Sequence, residues 1–184
     1  AHQDLKPANI FLRDVKNEFC NLPDLGIYNL ALIADFGLAN AFQDSSVFGG
    51  SRPYMAPEQW SESELSPKTD VFALGVILYE LMSGGFHPVG IKLNDHWPRP
   101  VEGYSKKWTK ADAWKKWAKS ASITFEGVPP IAPKILSLVQ DMLSVDAADR
   151  PSIEEVKIAL LDIVKHESQE SFVQLEFLVN YYEQ

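Results

Sequence analysis

The sequence predicts an α+β fold that is mainly α-helical. Two short apolar runs near the start, "NIFL" and "NLALIA", have the length of β-strands. After Pro67 the apolar residues instead recur at the spacing of one helix face. With 184 residues, of which 46% are hydrophobic and 23% charged, the chain fits one globular domain with a core of ordinary size. We therefore expect a small β portion followed by a bundle of helices.

The two predicted strands are separated by the stretch "RDVKNEFCNLPDLGIY". Its asparagine, proline, aspartate and glycine residues are typical of turns. The sequence therefore predicts a hairpin whose loop is longer than usual.

The first predicted helix follows this β portion. Ser66 supplies an N-cap, Pro67 fits the first turn, and the helix should end at Gly84-Gly85. Because the run "DVFALGVILYELM" is apolar nearly all round, the helix should be buried inside the domain. The next stretch, residues 86–108, is rich in tryptophan and proline and is expected to be mostly irregular.

Two helices are expected in the next part of the chain. Thr109 with Asp112 should cap a short helix that runs through Lys119. A longer helix is predicted by five apolar residues at helical spacing: Ile135, Leu138, Val139, Met142 and Leu143.

Two further helices are expected at the end of the chain. Ser152 with Glu155 forms a capping box before a helix that ends near His166. The last helix, over about 168–182, carries apolar residues on more than half of its circumference. Such a wide apolar face is suited to covering other apolar surface of the protein.

The charge distribution argues against nucleic-acid binding. The formal net charge is -8, and no block of lysine and arginine is long enough to follow a phosphate backbone. The densest basic cluster, "SKKWTKADAWKKWAKS", is expected to be the solvated face of a helix.

Cysteine usage indicates an intracellular, cytoplasmic protein. The single cysteine, Cys20, has no partner for an internal disulfide. No signal peptide and no apolar run of membrane-spanning length occur in the sequence. No membrane segment is therefore expected.

Five short motifs follow one another along the chain: "HQDLKPAN", "ADFG", "YMAPE", "KTDVFALG" and "DAADRP". In this order and spacing they resemble the C-terminal lobe of eukaryotic-type protein kinases. The resemblance covers residues 1–165 and leaves 166–184 as a C-terminal helical extension. It implies a protein-kinase-like fold of which this chain is the larger, C-terminal lobe.

The resemblance assigns chemistry to four polar residues. Phosphoryl transfer needs a hydroxyl aimed in line at the γ-phosphorus of ATP and positive charge on the phosphate oxygens. By the resemblance, Asp4 accepts or orients the hydroxyl proton and Lys6 neutralises charge on the transferred phosphate. Asn9 and Asp35 would hold Mg²⁺, which prefers hard oxygen ligands. The alternative for Asp4 and Lys6 is a surface ion pair worth at most about 1 kcal/mol.

Two features point to serine or threonine as the acceptor. "DLKPAN" resembles serine/threonine kinases, whereas tyrosine kinases replace its lysine, Lys6. Ser51 matches the family's substrate-binding loop, where a threonine or serine contacts the catalytic aspartate and lysine. The alternative is that Ser51 is an ordinary turn serine.

The other motif residues are expected to support the site: His2, Phe36, Gly37, Glu58, Asp70 and Arg150. By the resemblance, Glu58 and Arg150 form a buried ion pair, and Asp70 accepts hydrogen bonds from the catalytic-loop backbone. His2 and Phe36 match an apolar spine between the two loops. The five tryptophans are expected to pack in the core, with a docking surface near 86–117 as the alternative.

Two kinase motifs are missing from the sequence. Neither a glycine-rich "GxGxxG" nor a strand lysine of the "VAIK" type occurs in it. We therefore expect the larger lobe of a kinase, inactive alone. The partners expected are a protein substrate and the missing N-lobe. A second copy of the chain is the alternative cover for exposed apolar surface.

Gln3 departs from the family pattern. Most members have arginine there, and that arginine pairs with a phosphate on the activation segment. Glutamine carries no charge, so phosphate on Ser45, Ser46 or Ser51 would find no partner at this position. We therefore expect activity that does not depend on activation-segment phosphorylation, unless a basic residue from the missing lobe replaces the arginine.

Two other classes of function remain open on sequence grounds. One is a pseudokinase or scaffold, against which the intact Asp4, Asn9 and Asp35 argue. The other is a small-molecule phosphotransferase of the aminoglycoside-kinase type, which shares a histidine-aspartate-asparagine loop. Those enzymes lack the "APE" segment and the "DVFALG" helix that are present in this chain.

Overall fold

The computed structural model describes residues 1–18, 29–36, 51–61 and 63–182. Four residues discussed above lie outside the described residues: Cys20, Gly37, Ser45 and Ser46. Most of the predicted hairpin loop also lies outside them.

The predicted hairpin is present. Strand β1 (Ile10–Asp14) pairs antiparallel with β2 (Asn29–Ile33), and Ile10 lies opposite Ile33. Phe11 and Leu12 are 57% and 70% exposed. Because neighbouring strand residues point to opposite faces, both faces of the hairpin carry exposed apolar side chains.

Helix α1 (Pro67–Ser83) occupies the centre of the fold, as its apolar sequence predicts. Lys68 N donates to the Ser66 hydroxyl at the N-terminus, and Gly84 ends the helix with a φ of 73°, a conformation that suits glycine. A Cβ added at Gly75 would lie 2.9 Å from Met142 Cβ. This glycine therefore allows the close approach of a later helix.

The region after α1 contains more regular structure than its composition predicts. A short hairpin with strands of two residues each, β3 (Phe86–His87) and β4 (Ile91–Lys92), leads into the short helix α2 (Leu93–His96). Helix α3 (Ala111–Ala118) follows. Its lysines are exposed, as expected of a solvated face, while three tryptophans of this region are buried in the core: Trp108, Trp114 and Trp117.

The predicted cap of α3 is wrong. The Thr109 hydroxyl donates to the Lys106 carbonyl and closes the 3-10 turn Lys106–Thr109. The N-cap position is Lys110, whose side chain makes no capping hydrogen bond. A threonine can bond backward as well as forward along the chain, and here the preceding turn takes its hydroxyl.

Three helices complete the chain. They are α4 (Pro133–Met142), α5 (Ile153–Glu167) and α6 (Gln169–Tyr182). The capping box before α5 is confirmed, since Glu155 N donates to the Ser152 hydroxyl and Ser152 N donates to the Glu155 carboxylate. At the end of α6, the Tyr182 hydroxyl donates to Glu18 Oε2 at 2.9 Å and so links the last helix to the hairpin side of the fold.

The core is formed mainly by α1 and the elements that surround it. One cluster contains Phe72, Val76 and Tyr79 of α1 with the buried tryptophans, and a second joins α1 to α4 and α5. No helix of the described residues is long and apolar enough to cross a membrane. The further described 3-10 turns are Pro7–Asn9, Lys16–Glu18, Arg52–Tyr54, Pro57–Trp60 and Ala147–Asp149.

Candidate active site

The first residues of the chain are anchored on α1 through Asp70. The backbone N–H groups of His2 and Gln3 donate to Asp70 Oδ2 and Oδ1 at 2.6 and 2.8 Å. Gln3 has a φ of 73°, which is unfavourable for a residue with a side chain. The two hydrogen bonds that His2 N and Gln3 N donate to Asp70 of α1 hold the backbone in this conformation.

Asp4, Lys6 and Ser51 form one hydrogen-bonded cluster. Lys6 Nζ donates to Asp4 Oδ2 at 2.6 Å and to Ser51 Oγ at 2.9 Å. Ser51 N donates to the other carboxylate oxygen, Asp4 Oδ1, at 2.7 Å. The side chains of Lys6 and Asp4 are 24% and 11% exposed. A carboxylate with both oxygens bound in this way is held in one orientation, with a positive charge beside it.

Asn9 is buried next to this cluster. Its amide nitrogen donates to the Asp4 carbonyl at 2.9 Å and lies 3.3 Å from Asp4 Oδ2. These bonds use the amide nitrogen of Asn9 and leave the carbonyl oxygen of the side chain as a hard acceptor.

Backbone hydrogen bonds bring the residue before Asp35 to the same loop. Ala34 N donates to the Asn9 carbonyl at 2.9 Å, and His2 Nε2 donates to the Ala34 carbonyl at 2.9 Å. Asp35 itself is exposed and has a φ of 63°. The ring of Phe36 lies 4.9 Å from the ring of His2, centroid to centroid.

Asn9 and Asp35 fit a magnesium site by the chemistry of their donors. An amide oxygen and a carboxylate are the hard oxygen ligands that Mg²⁺ prefers, and Mg²⁺ commonly keeps water for its remaining positions. Among the residues that the structure describes, no group of three or more histidine, cysteine, aspartate or glutamate side chains forms a metal cluster. Two protein ligands suit an ion that also binds phosphate.

Glu58 and Arg150 form a bidentate ion pair. Arg150 Nη1 and Nη2 donate to the two Glu58 carboxylate oxygens at 2.7 and 2.8 Å, and Arg150 is 1% exposed. Burial has the largest single effect on Glu58 and raises its pKa, but the hydrogen bonds and positive charge of Arg150, a backbone hydrogen bond and the Thr69 hydroxyl together outweigh burial, so the pKa lies below its ordinary value. The Thr69 hydroxyl also donates to Glu58, so the pair ties this segment to α1.

The sequence gives no signal for two anchors of the segment that carries Ser51. Arg52 Nη1 donates to the Thr109 carbonyl at 2.8 Å, and its guanidinium lies 5.7 Å from the ring centroid of Trp97. The imidazole of His87 donates from Nε2 to the Pro53 carbonyl at 2.9 Å. Both hydrogen-bond partners come from the region between α1 and α3, and of the two only His87 lies in the stretch 86–108 that was expected to be mostly irregular.

His87 is fully buried beside two tryptophan rings, with centroids 5.0 Å from Trp114 and 4.4 Å from Trp117. Burial lowers its pKa to about 3. Val89 N donates to Nδ1 at 3.1 Å, so Nδ1 is an acceptor and the proton is on Nε2. His87 therefore acts as a neutral link rather than as a charge.

A third anchor joins Tyr54 to Glu80 near the end of α1. The Tyr54 hydroxyl donates to Glu80 Oε2 at 2.8 Å. Burial raises the pKa of Glu80 to about 7, and burial followed by the charge of Glu80 raises the pKa of Tyr54. The tyrosine of the "YMAPE" motif is the only sequence signal for this contact, and it does not identify the partner.

Comparison with known proteins identifies the family. The sequence model described as the protein kinase domain matches residues 1–159. A calcium and calcium/calmodulin-dependent serine/threonine-protein kinase of Pisum sativum is 34% identical over 81% of this chain and 26% of its own length. Serine/threonine-protein kinase ATG1 of Saccharomyces cerevisiae is 29% identical, over 96% of this chain and 19% of its own length. Serine/threonine-protein kinase pkn3 of Myxococcus xanthus is 31% identical, over 90% of this chain and 28% of its own length.

The chain belongs to the protein kinase domain family. The resemblance to eukaryotic-type serine/threonine protein kinases is thereby confirmed. The chain spans about a quarter or less of the length of the pea and yeast relatives. The domain limits at 165 and 166 stay a prediction.

Proposed function

We propose that this chain is the larger lobe of a kinase that transfers the γ-phosphate of ATP to serine or threonine hydroxyls of proteins. The observation that supports the proposal best is the hydrogen-bonded cluster of Asp4, Lys6 and Ser51. It combines an oriented carboxylate with a positive charge, the two groups that phosphoryl transfer requires of a protein.

In the proposed mechanism Asp4 orients the acceptor hydroxyl. The hydroxyl proton passes to the Asp4 carboxylate while its oxygen forms the new bond to phosphorus, and the bond from phosphorus to the leaving oxygen of ADP breaks. Lys6 lies beside this carboxylate and offsets negative charge on the transferred group. Ser51 holds the second oxygen of Asp4 and so keeps the carboxylate in place.

Protein kinases use ATP and usually a divalent metal. We assign the metal to the side-chain oxygens of Asn9 and Asp35, whose donor types fit Mg²⁺. When bound, Mg²⁺ would neutralise charge on the phosphate oxygens. Within the chain, the hydrogen bonds from Asn9 to Asp4 keep the proposed metal and hydroxyl positions next to each other.

The choice of serine or threonine as acceptor rests on Lys6 and its partner Ser51. Their 2.9 Å hydrogen bond joins the catalytic loop to the proposed substrate-binding segment, as the family resemblance implies for this class. The relatives of the chain are also named serine/threonine-protein kinases. The cytoplasmic location stays a prediction.

The proposal is tested by phosphorylating a peptide mixture with the intact parent protein and radiolabelled ATP. We expect label on serine and threonine but not on tyrosine. The 184-residue chain by itself should give no measurable transfer, because its sequence contains neither the glycine-rich loop nor the strand lysine. Turnover by that chain would contradict its assignment as one lobe, and label on tyrosine would contradict the acceptor class.

A further inference from the structure

The side chain of Gln59 joins two segments that are far apart in the sequence. Gln59 Nε2 donates to the Gln3 carbonyl at 2.8 Å, across 56 residues. Its Oε1 accepts from Ala56 N at 2.9 Å, within its own turn. A carbonyl can only accept and an N–H can only donate, so these partners determine which end of the amide faces which segment.

The carbonyl that Gln59 binds belongs to the peptide bond between Gln3 and Asp4. This peptide is planar, so the direction of the Gln3 carbonyl also sets the direction of the Asp4 N–H. Gln3 has a φ of 73°, and its own N–H is held by Asp70 Oδ1. Gln59 and Asp70 together hold the backbone on both sides of Gln3, immediately before the proposed catalytic carboxylate.

Gln59 also belongs to the segment that carries Ser51. The 3-10 turns Arg52–Tyr54 and Pro57–Trp60 follow one another in this segment, and Ser51 N donates to Asp4. The catalytic loop and this segment are therefore joined by three hydrogen bonds: Gln59 Nε2 to the Gln3 carbonyl, Ser51 N to Asp4, and Lys6 Nζ to Ser51 Oγ. None of these three hydrogen bonds requires a phosphate group.

We propose that Gln59 is a positioning residue for Asp4 and that its hydrogen bond to Gln3 holds the catalytic loop without activation-segment phosphate. The proposal rests on the proposed kinase function and deepens it. Both Gln3 and Gln59 are uncharged, so their hydrogen bond forms without a phosphate group. Loss of the donor would leave the Gln3 carbonyl unpaired and its peptide less restrained, which should lower kcat about tenfold.

The test compares variants of the intact kinase that separate the two hydrogen bonds of Gln59. Gln59→Glu keeps an acceptor for Ala56 N but has no donor for Gln3. Gln59→Lys keeps a donor for Gln3 but has no acceptor for Ala56 N. Gln59→Leu has neither group. Gln140→Leu, at an exposed glutamine of α4, is the matched control.

We expect Gln59→Glu and Gln59→Leu to lower kcat about tenfold with an unchanged KM for Mg-ATP. Gln59→Lys should lower kcat clearly less than the other two variants, and Gln140→Leu should have the kcat of the wild type. Thermal unfolding of each variant separates a loss of positioning from a loss of folded protein. Treating the wild type with a phosphatase should leave its kcat unchanged.

Three results would each overturn the inference alone while the kinase function stands. The first is a wild-type kcat for Gln59→Glu and Gln59→Leu, and the second is loss of most wild-type activity after phosphatase treatment. The third is an equal loss of activity in Gln59→Lys and Gln59→Glu, since donation to Gln3 would then not be the relevant contact. A wild-type parent protein that transfers no phosphate overturns both the inference and the proposed function.

Discussion

The two sides of the candidate site differ in how they are held. On one side, Asp4, Lys6, Asn9 and Ser51 are joined by hydrogen bonds of 2.6 to 3.3 Å. On the other side, Asp35 is exposed, and the neighbouring hairpin carries exposed apolar residues on both faces. The chain therefore pre-organises the carboxylate proposed to orient the acceptor hydroxyl, together with Asn9, and leaves Asp35, the other proposed metal ligand, exposed.

The difference follows from what lies behind each side. The ordered side, which contains Asp4, Lys6, Asn9 and Ser51, is connected to α1 and to the segment before α5 through Asp70, Glu58 and Arg150. Within the described part of the hairpin side, Ile10 packs partly against a small cluster and Val15 is buried, while Phe11 and Leu12 are exposed. Changes to the first set should therefore disturb stability and catalysis, while changes to the second should act on ligand binding.

The largest effect is expected when the anchor of the ordered side is removed. Arg150→Met leaves the Glu58 carboxylate buried without its partner, which should lower the free energy of unfolding by about 3 to 5 kcal/mol. Urea unfolding of the chain measures the loss. The double variant with Glu58→Gln should recover part of it, and a loss below about 1 kcal/mol would show that the pair contributes little.

The next largest effect separates the two sides by their kinetics. In the intact kinase, Asp4→Asn should lower kcat about a hundredfold or more, because the base or orienting group is lost while the fold survives. Asp35→Asn should instead raise the Mg²⁺ concentration needed for half-maximal activity about tenfold or more. Equal effects of both variants on the Mg²⁺ requirement would remove the distinction between the two sides.

A smaller, pH-dependent effect is expected from Glu80. Its pKa is raised from the ordinary value of 4.5 to about 7, so the folded protein binds this proton more tightly than the unfolded chain. The contribution of protonated Glu80 to the free energy of unfolding is complete below about pH 4.5 and is lost as the pH rises through about 7. Allowing for partial exposure, it amounts to about 1 to 2 kcal/mol.

The measurement for Glu80 is the difference in unfolding free energy between the wild type and Glu80→Gln at several pH values. Glutamine keeps an acceptor for the Tyr54 hydroxyl, so only the titration is removed. The advantage of the wild type should shrink as the pH rises through this range. A difference that stays constant with pH would contradict the raised pKa.

The smallest effect is expected at His87, where we predict no titration near neutral pH. Because burial lowers its pKa to about 3, the neutral form with the proton on Nε2 should persist down to about pH 5. The contribution of neutral His87 to the free energy of unfolding is present above about pH 6.5 and is lost as the pH falls toward 3. Nitrogen NMR of the imidazole measures the tautomer, and a midpoint near 6.5 would rule out this environment.

Much of the local structure is predictable from neighbouring residues alone. Ser66 and Gly84 mark the ends of α1, and Ser152 with Glu155 marks the start of α5, as the structure confirms. These signals work because capping groups and their partners lie within one helical turn. Thr109 is the exception, because its hydroxyl had two local partners available and bonds to the preceding turn at Lys106 instead of capping α3.

The fold class and the family are predictable from the sequence alone, and the sequence also predicts which residues form the candidate site. How the Ser51 segment is held depends on long-range contacts of the tertiary structure: Gln59 with Gln3, Tyr54 with Glu80, and His87 with Pro53. These partners are separated by 56, 26 and 34 residues. The physical reason is range: a cap depends on the next turn of the chain, whereas these side chains meet only after α1 has been packed at the centre of the fold.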